Sequence, residues 1–248
     1  MEFKRIADIK RVNFIAASIR NAIPAGGEIL DIGCGNGIIS RAVGAYGYNV
    51  TGIDVSEKTI ANAVAQNTLP NVHFKTMEAG KLNPEYLQYE AIICSEVLEH
   101  LHHPEKLLNT IYQSLKKDGI LIVTVPNGRG PRELFVTRPV QQLQKGNGAV
   151  WKTVKRIKEV MGFNGTTVQS GADDLWHIRF FSRKGLLQLA ADSSFKIERI
   201  TASNFMEQVF PFSILTRKSL VLQKIDCLLA DRLPLAFASG FMSVWKKI

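Results

Sequence analysis

Glu28-Ile29-Leu30-Asp31-Ile32-Gly33-Cys34-Gly35-Asn36-Gly37, followed by the apolar-periodic run from Ile38, decides how the rest of the chain is read. A short β-type run ends in a glycine-rich turn that feeds directly into a helix. At such a junction backbone can approach a ligand closely and helix N–H groups aim at it. The spacing departs from the dinucleotide fingerprint G-x-G-x-x-G, because the third glycine, Gly37, arrives one residue early. Asp31 stands inside the strand end, where a carboxylate would repel a pyrophosphate but suits a ligand carrying an ammonium or sulfonium charge. The next apolar run closes on Gly52-Ile53-Asp54, seventeen residues after Gly37. There a carboxylate can accept hydrogen bonds from both ribose hydroxyls of a nucleoside.

Outward from this segment, short apolar runs alternate with helical periodicity, the pattern of βαβ units and a parallel sheet. Strands are predicted at 28–32, 49–53, 72–75, 91–94 and 120–125, and helices at 38–46, 57–66 and 104–115. Pro104 sits in the first turn of the last helix, and Lys116-Lys117-Asp118-Gly119 reads as its stop. An amphipathic helix at 6–19 would pack onto the sheet. After Pro126 the rhythm breaks, and frequent Gly and Pro between 127 and 177 predict an inserted cap of loops and short helices. It returns with a helix at 182–192, a strand at 195–200, a helix near 215–229 and a strand near 240–245. The expected organisation is a single domain over 1–248: an N-terminal helix in 1–27, a cofactor-binding core in 28–126, the cap in 127–177 and the end of the sheet in 178–248.

These residues resemble the class I S-adenosylmethionine-dependent methyltransferases, closely over about 25–127 and by element order elsewhere. The resemblance implies an α/β, Rossmann-like, doubly wound, mostly parallel seven-stranded sheet whose terminal strand is antiparallel. It implies that Asp31, Gly33, Cys34, Gly35, Asn36 and Gly37 hold the methionine part of S-adenosylmethionine. Asp54 would hold the ribose, and Val55 would lie against the adenine. Met77 and Glu78 would border that base, and Cys94 and Ser95 would close the pocket. The family usually carries an Asp near position 78, where this chain has Met77-Glu78.

Two further segments carry candidate chemistry. Glu96-Val97-Leu98-Glu99-His100 is read as opening the helix after the fourth strand, with positions 96, 99 and 100 on one face. Two carboxylates and an imidazole so placed can hold a divalent cation. Ubiquinone-biosynthesis O-methyltransferases and small-RNA 3′-end 2′-O-methyltransferases, which this chain resembles here, use Glu-x-x-Glu-His in this way, orienting the acceptor hydroxyl. Equally, acids in a first helical turn complement the helix dipole, and His100 then serves a backbone carbonyl. The second segment is Trp176-His177-Ile178-Arg179-Phe180-Phe181-Ser182, with Ser182 as a helix cap. Its resemblance to small-molecule methyltransferases places His177 at the rim of the acceptor pocket, either as a general base or as a hinge residue fixing the cap. His102 and His103 are assigned no role.

Composition bounds the rest. With 248 residues, 46% hydrophobic and 21% charged, the chain reads as globular. Cys34, Cys94 and Cys227 have neither disulfide nor zinc spacing, so a reducing compartment is expected. No secretory signal or membrane span is legible, which predicts a cytoplasmic protein. The net charge of +9 is uneven: residues 1–125 hold 12 basic and 13 acidic side chains, and residues 126–248 hold 19 and 9. The basic half points to an anionic acceptor or carrier. Residues 150–161 show an apolar helical stripe with basic flanks, read either as contact with the inner face of a membrane or as a lid with a solvated basic face. No RNA-binding module or set of stacking aromatics is present. The expected function is therefore O-methylation of a small, lipid-linked or saccharide acceptor. A metal-assisted RNA 2′-O-methyltransferase and a non-catalytic S-adenosylmethionine-binding protein stand as alternatives, and the oligomeric state is not legible.

Overall fold

In β1 (Glu28–Ile32), Leu30 and Ile32 face one apolar cluster while Ile29 faces another. The same alternation runs through β4 (Tyr89–Ser95), where Ile92 and Cys94 oppose Ala91 and Ile93. It recurs in β5 (Leu115–Pro126), where Leu121, Val123 and Val125 oppose Ile120 and Ile122. Period-two alternation with both faces apolar requires helices on both sides of the sheet. The structure is a computed structural model and describes residues 5–83, 88–139, 142, 177–207, 209, 212–216 and 218–248. The basic stretch 150–161 and most of the expected cap lie outside the described residues.

The remaining strands are β2 (Asn49–Asp54), β3 (Val72–Thr76), β6 (Phe195–Ala202) and β7 (Gly240–Lys247). They form one seven-stranded sheet in the order β3-β2-β1-β4-β5-β7-β6. Pairings from β3 to β5 are parallel, and β7 runs antiparallel to both β5 and β6. On one face α1 (Ile6–Ala22) and α2 (Ile38–Gly44) cover Ile15, Ile19, Ile39 and Val43. On the other, α4 (Pro104–Ser114) and α5 (Arg183–Asp192) bury Leu108, Ile111 and Leu186 against Phe195, Phe241 and the fully buried Trp245. Trp245 donates its indole N–H to Ser243 Oγ at 2.8 Å, which satisfies the one polar atom of the largest core side chain. Helix α3 (Glu57–Ala65) starts at Ser56, whose hydroxyl accepts from Thr59 N at 3.2 Å.

The α/β, mostly parallel, doubly wound sheet thus agrees with the expectation from sequence. Three local readings are corrected. The Lys116–Gly119 stretch expected as a helix stop belongs to β5, because Leu115 already pairs with Tyr89 across an irregularity in the β4–β5 ladder. The helix expected near 215–229 is two helices, α6 (Phe212–Thr216) and α7 (Leu220–Arg232), with Ser219 capping the second by accepting from Leu222 N. The third concerns Glu-x-x-Glu-His, which does not open a helix. Glu96 takes a left-handed φ of 58°, Leu98–His100 form one 3-10 turn, and α4 begins only at Pro104.

Candidate active site

The glycine turn is held by a small set of backbone bonds. Gly33 N and Cys34 N both donate to Ile53 O, at 2.8 and 3.0 Å, lashing the turn to the end of β2. Asp54 then grips it from the side: Oδ2 accepts from Gly35 N at 3.0 Å and Oδ1 accepts from Ser56 N at 2.9 Å. Each carboxylate oxygen keeps further acceptor capacity, so Asp54 can serve both the loop and a ligand hydroxyl. Gly37, with φ +74°, caps α2, and a Cβ there would lie 2.3 Å from Phe74 Cζ. The sequence therefore needs glycine at this position for conformation and for space alike.

Asp31 sits at the end of β1, 1% exposed, and accepts from Ser40 Oγ at 2.6 Å. Burial pushes its carboxyl up to about 7; the Ser40 bond works against that shift and the charge of Asp54 adds to it. A buried acid next to a glycine turn that admits close approach is a site that a cation would relieve. Val55, directly after Asp54, is 71% exposed, an apolar side chain at the lip of the same edge. Met77 N donates to Asp54 O at 2.9 Å, which brings the end of β3 to this lip, and Glu78 is exposed there. A buried acid, a ribose-competent carboxylate and an apolar lip fit a cationic nucleoside such as S-adenosylmethionine. Asn36 presents its backbone carbonyl to Arg41 at 2.7 Å, inside the turn.

The expected metal triad is redistributed. Glu96 accepts from Thr124 Oγ1 at 2.9 Å and lies 3.6 Å from Arg11 of α1, while Ser95 Oγ pairs with Thr124 Oγ1 at 2.9 Å. Instead, ligand-capable atoms of Glu99, His100 and His177 lie within 4.8 Å of one another. Glu99 is 1% exposed, and among the described residues neither of its carboxylate oxygens has a hydrogen-bond partner. Burial first, and then the neighbouring charge of Glu96, push its carboxyl well above the ordinary range. Ile178 N and Arg179 N donate to Glu99 O at 2.8 and 3.0 Å, which is how the returning chain delivers His177. The imidazole of His177 stands edge-on to His100, centroids 5.2 Å apart, with Nδ1 3.4 Å from the carboxylate of the fully buried Glu133.

Sequence reading missed Glu133, Thr124 and Arg11. Glu133 lies in the Gly- and Pro-broken stretch after β5 and has no fixed spacing to any motif. Arg11 is one of several basic residues on α1. Only the tertiary contacts single them out. The two halves of the site touch: a Cβ on Gly33 would meet Val97 Cγ2 at 2.5 Å. Between them is the buried Cys94 thiol, which burial and the charges of Glu99 and Asp31 hold protonated.

A glycine turn after β1, an acid at the end of β2 and a cluster after β4 occupy one carboxyl edge, and a family model described as a methyltransferase domain matches residues 4–200. The chain belongs to the methyltransferase-domain family. Among relatives of this methyltransferase domain, the ubiquinone biosynthesis O-methyltransferase of Pseudomonas fluorescens (strain Pf0-1) is 32% identical over 149 residues, 58% of this chain and 63% of that one. The Pseudomonas aeruginosa (strain UCBPP-PA14) protein of the same name is 35% identical over 139 residues, 54% of this chain and 59% of that one. The chain thus spans about three fifths of the length of these relatives. The magnesium protoporphyrin IX methyltransferase of Synechocystis PCC 6803, solved with bound SAH, aligns with TM-score 0.57 at 17% identity, covering 98% of this chain and 84% of that one. A Burkholderia thailandensis 1,6-didemethyltoxoflavin-N1-methyltransferase aligns with TM-score 0.58 at 16% identity, over 98% of this chain and 79% of that one. At these identities the two structures establish the fold of the methyltransferase domain alone.

Proposed function

We propose that this protein transfers a methyl group from S-adenosylmethionine to a hydroxyl of a small acceptor, lipid-linked or saccharide in character. The observation that carries the proposal is that the glycine turn touches Val97, while Glu99 two residues on holds by its carbonyl the backbone that sets His177 against Glu133. S-adenosylmethionine, when bound, supplies a methyl carbon activated by a sulfonium charge. Asp31 balances the cation, Asp54 takes the ribose, and Val55 covers one side of the base. His177 removes the acceptor proton: Glu133 draws Nδ1–H, which fixes the tautomer, leaves Nε2 as the accepting nitrogen and steadies the imidazolium that forms. With the methyl carbon already activated, most of the remaining work is orientation. The similarity to ubiquinone biosynthesis O-methyltransferases supports oxygen as the acceptor atom, and the basic second half supports an anionic acceptor or carrier.

A second reading rests on the orphaned Glu99 oxygens. Glu99, His100 and His177 would hold a divalent cation that polarises the acceptor hydroxyl, with Glu133 ordering His177. Labelled S-adenosylmethionine incubated with fractionated lipids, glycans and RNA, with and without chelator, tests both readings. Label in lipid or glycan that survives chelation supports base catalysis, and loss on chelation favours the cation. Label in RNA alone overturns the acceptor class, and cofactor binding without turnover on any fraction overturns the enzyme reading.

A further inference from the structure

Helix α7 is oriented against its own pattern. It buries Gln223, Asp226, Cys227 and Ala230, and exposes Val221, Ile225, Leu228 and Leu229. At 3.6 residues per turn these four apolar positions, with Arg232, fall within an arc of about 100°. Val221 is 65% and Leu228 56% exposed.

The polar side is inward because it is used there. Gln223 Oε1 accepts from Ile6 N at 3.0 Å and Gln223 Nε2 donates to Thr216 O at 2.9 Å. Asp226 accepts from Phe205 N at 2.9 Å and Met206 N at 2.7 Å. These four bonds bind the helix to α1, to α6 and to the turn after β6, so rotating α7 to hide its leucines would orphan buried polar groups. Helix α6, packed beside it, does the same: Ser213 and Thr216 are buried, while Phe212, Ile214 and Leu215 are exposed. Runs of exposed apolar side chains on this scale mark interaction surfaces.

Charge selects the occupant. Between residues 212 and 237 the acids are Asp226, spent on backbone N–H groups, and Asp231, paired with Lys10 Nζ at 2.6 Å. Lys218, Lys224 and Arg232 are exposed around the apolar residues. A second copy would set this basic rim against itself, whereas an anionic lipid surface offers hydrocarbon to the face and negative headgroups to the rim. We propose that the α6–α7 face docks this protein on anionic membranes. The docking stands apart from the methyl-transfer proposal and is read without turnover.

The test is cosedimentation of the full chain with phosphatidylcholine vesicles, with and without a quarter phosphatidylglycerol. Wild type should pellet with the anionic vesicles, weakly or not at all with the neutral ones, and less as salt rises. Ile225→Ser/Leu228→Ser and, separately, Lys218→Glu/Lys224→Glu should each cut the partition at least tenfold while keeping the wild-type melting temperature, since all four side chains are exposed. Failure of wild type to pellet with anionic vesicles overturns the proposal. So does binding that neither pair weakens, which would place the contact elsewhere on the chain. A concentration-dependent dimer that Ile225→Ser/Leu228→Ser dissolves would make the occupant a second copy and overturn it too.

Discussion

Replacing Asp31 by asparagine should make the ligand-free protein more stable and its cofactor binding weaker. The carboxyl is 1% exposed, and burial pushes it up from its ordinary value of 3.8 to about 7. At 1.36 kcal/mol per unit, a difference of about 3 units is roughly 4 kcal/mol withdrawn from folding once the group is ionised. The folded-state value is raised, so the folded protein keeps its proton between about pH 4 and 7 while the unfolded chain has lost it. Stability is therefore fully present below about pH 4, falls by up to about 1.4 kcal/mol per pH unit through that window, and levels off above about 7. Asparagine keeps an oxygen for Ser40 Oγ and carries no charge, but its amide N–H groups enter a buried site at a cost of about 1–3 kcal/mol. The absolute gain at pH 8 is thus roughly 1–3 kcal/mol. The sharper measure is the difference between the two proteins in urea unfolding, which should grow by about 2–3 kcal/mol in favour of Asp31→Asn from pH 5 to 7.5, since other titrations cancel. Calorimetric titration with S-adenosylmethionine at pH 8 should show at least thirtyfold weaker binding, the low end of removing one partner from a buried charge pair, roughly 2–5 kcal/mol. Equal pH slopes for the two proteins would refute the desolvation argument, and equal affinities would remove Asp31 from the ligand site.

Gly37→Ala forces a Cβ to within 2.3 Å of Phe74 Cζ at a φ of +74° and should cost about 2–4 kcal/mol in urea unfolding together with cofactor affinity; a stable variant that still binds would show that the turn relaxes. His177→Ala should lower kcat by about 10²–10⁴ with unchanged S-adenosylmethionine affinity, and Glu133→Gln should reproduce part of that loss; wild-type turnover in His177→Ala would remove it as the base. Trp245→Ala empties the largest fully buried side chain and should destabilise by about 3–5 kcal/mol without moving cofactor Kd in the variant that remains folded; a loss below about 1 kcal/mol would mean that the core recloses.

The glycine turn and its geometry were legible because their determinants are local. Strand, glycines and helix lie within one stretch of the chain, and the acid of β2 sits at a spacing fixed by one βαβ unit. The second cluster was legible only as a set of residue types. Glu96, Glu99 and His100 have helical spacing, yet Glu96 turns left-handed and leaves the set because Thr124 and Arg11, distant in sequence, hold its carboxylate. The partner that completes the cluster, His177, arrives through backbone bonds to Glu99 O. Spacing cannot encode such contacts. Helix α7 shows the same limit in another form: the hydrogen bonds of Gln223 and Asp226 to partners distant in sequence turn its apolar stripe outward.

Three carboxylates, on Asp31, Glu99 and Glu133, are buried near one edge of the sheet, at 1%, 1% and 0% exposure. Asp31 lies near the end of β1 and Glu99 follows β4, neighbours from which the chain winds in opposite directions, the crevice where ligands enter open α/β sheets. Their hydrogen-bonding and ion-pair neighbours among the described residues are Ser40, His100, Thr137 and His177, and the charge of Arg11 reaches Glu99 only in part against that of Glu96. A fold selected for stability alone would have filled these positions with apolar groups of similar volume. Acids buried in the crevice raise the energy of the ligand-free site, so a ligand that brought positive charge to Asp31, or a cation to Glu99 and His177, would be bound partly by the relief it provides. Stability is given up where charge will move, and it is recovered when the site is filled.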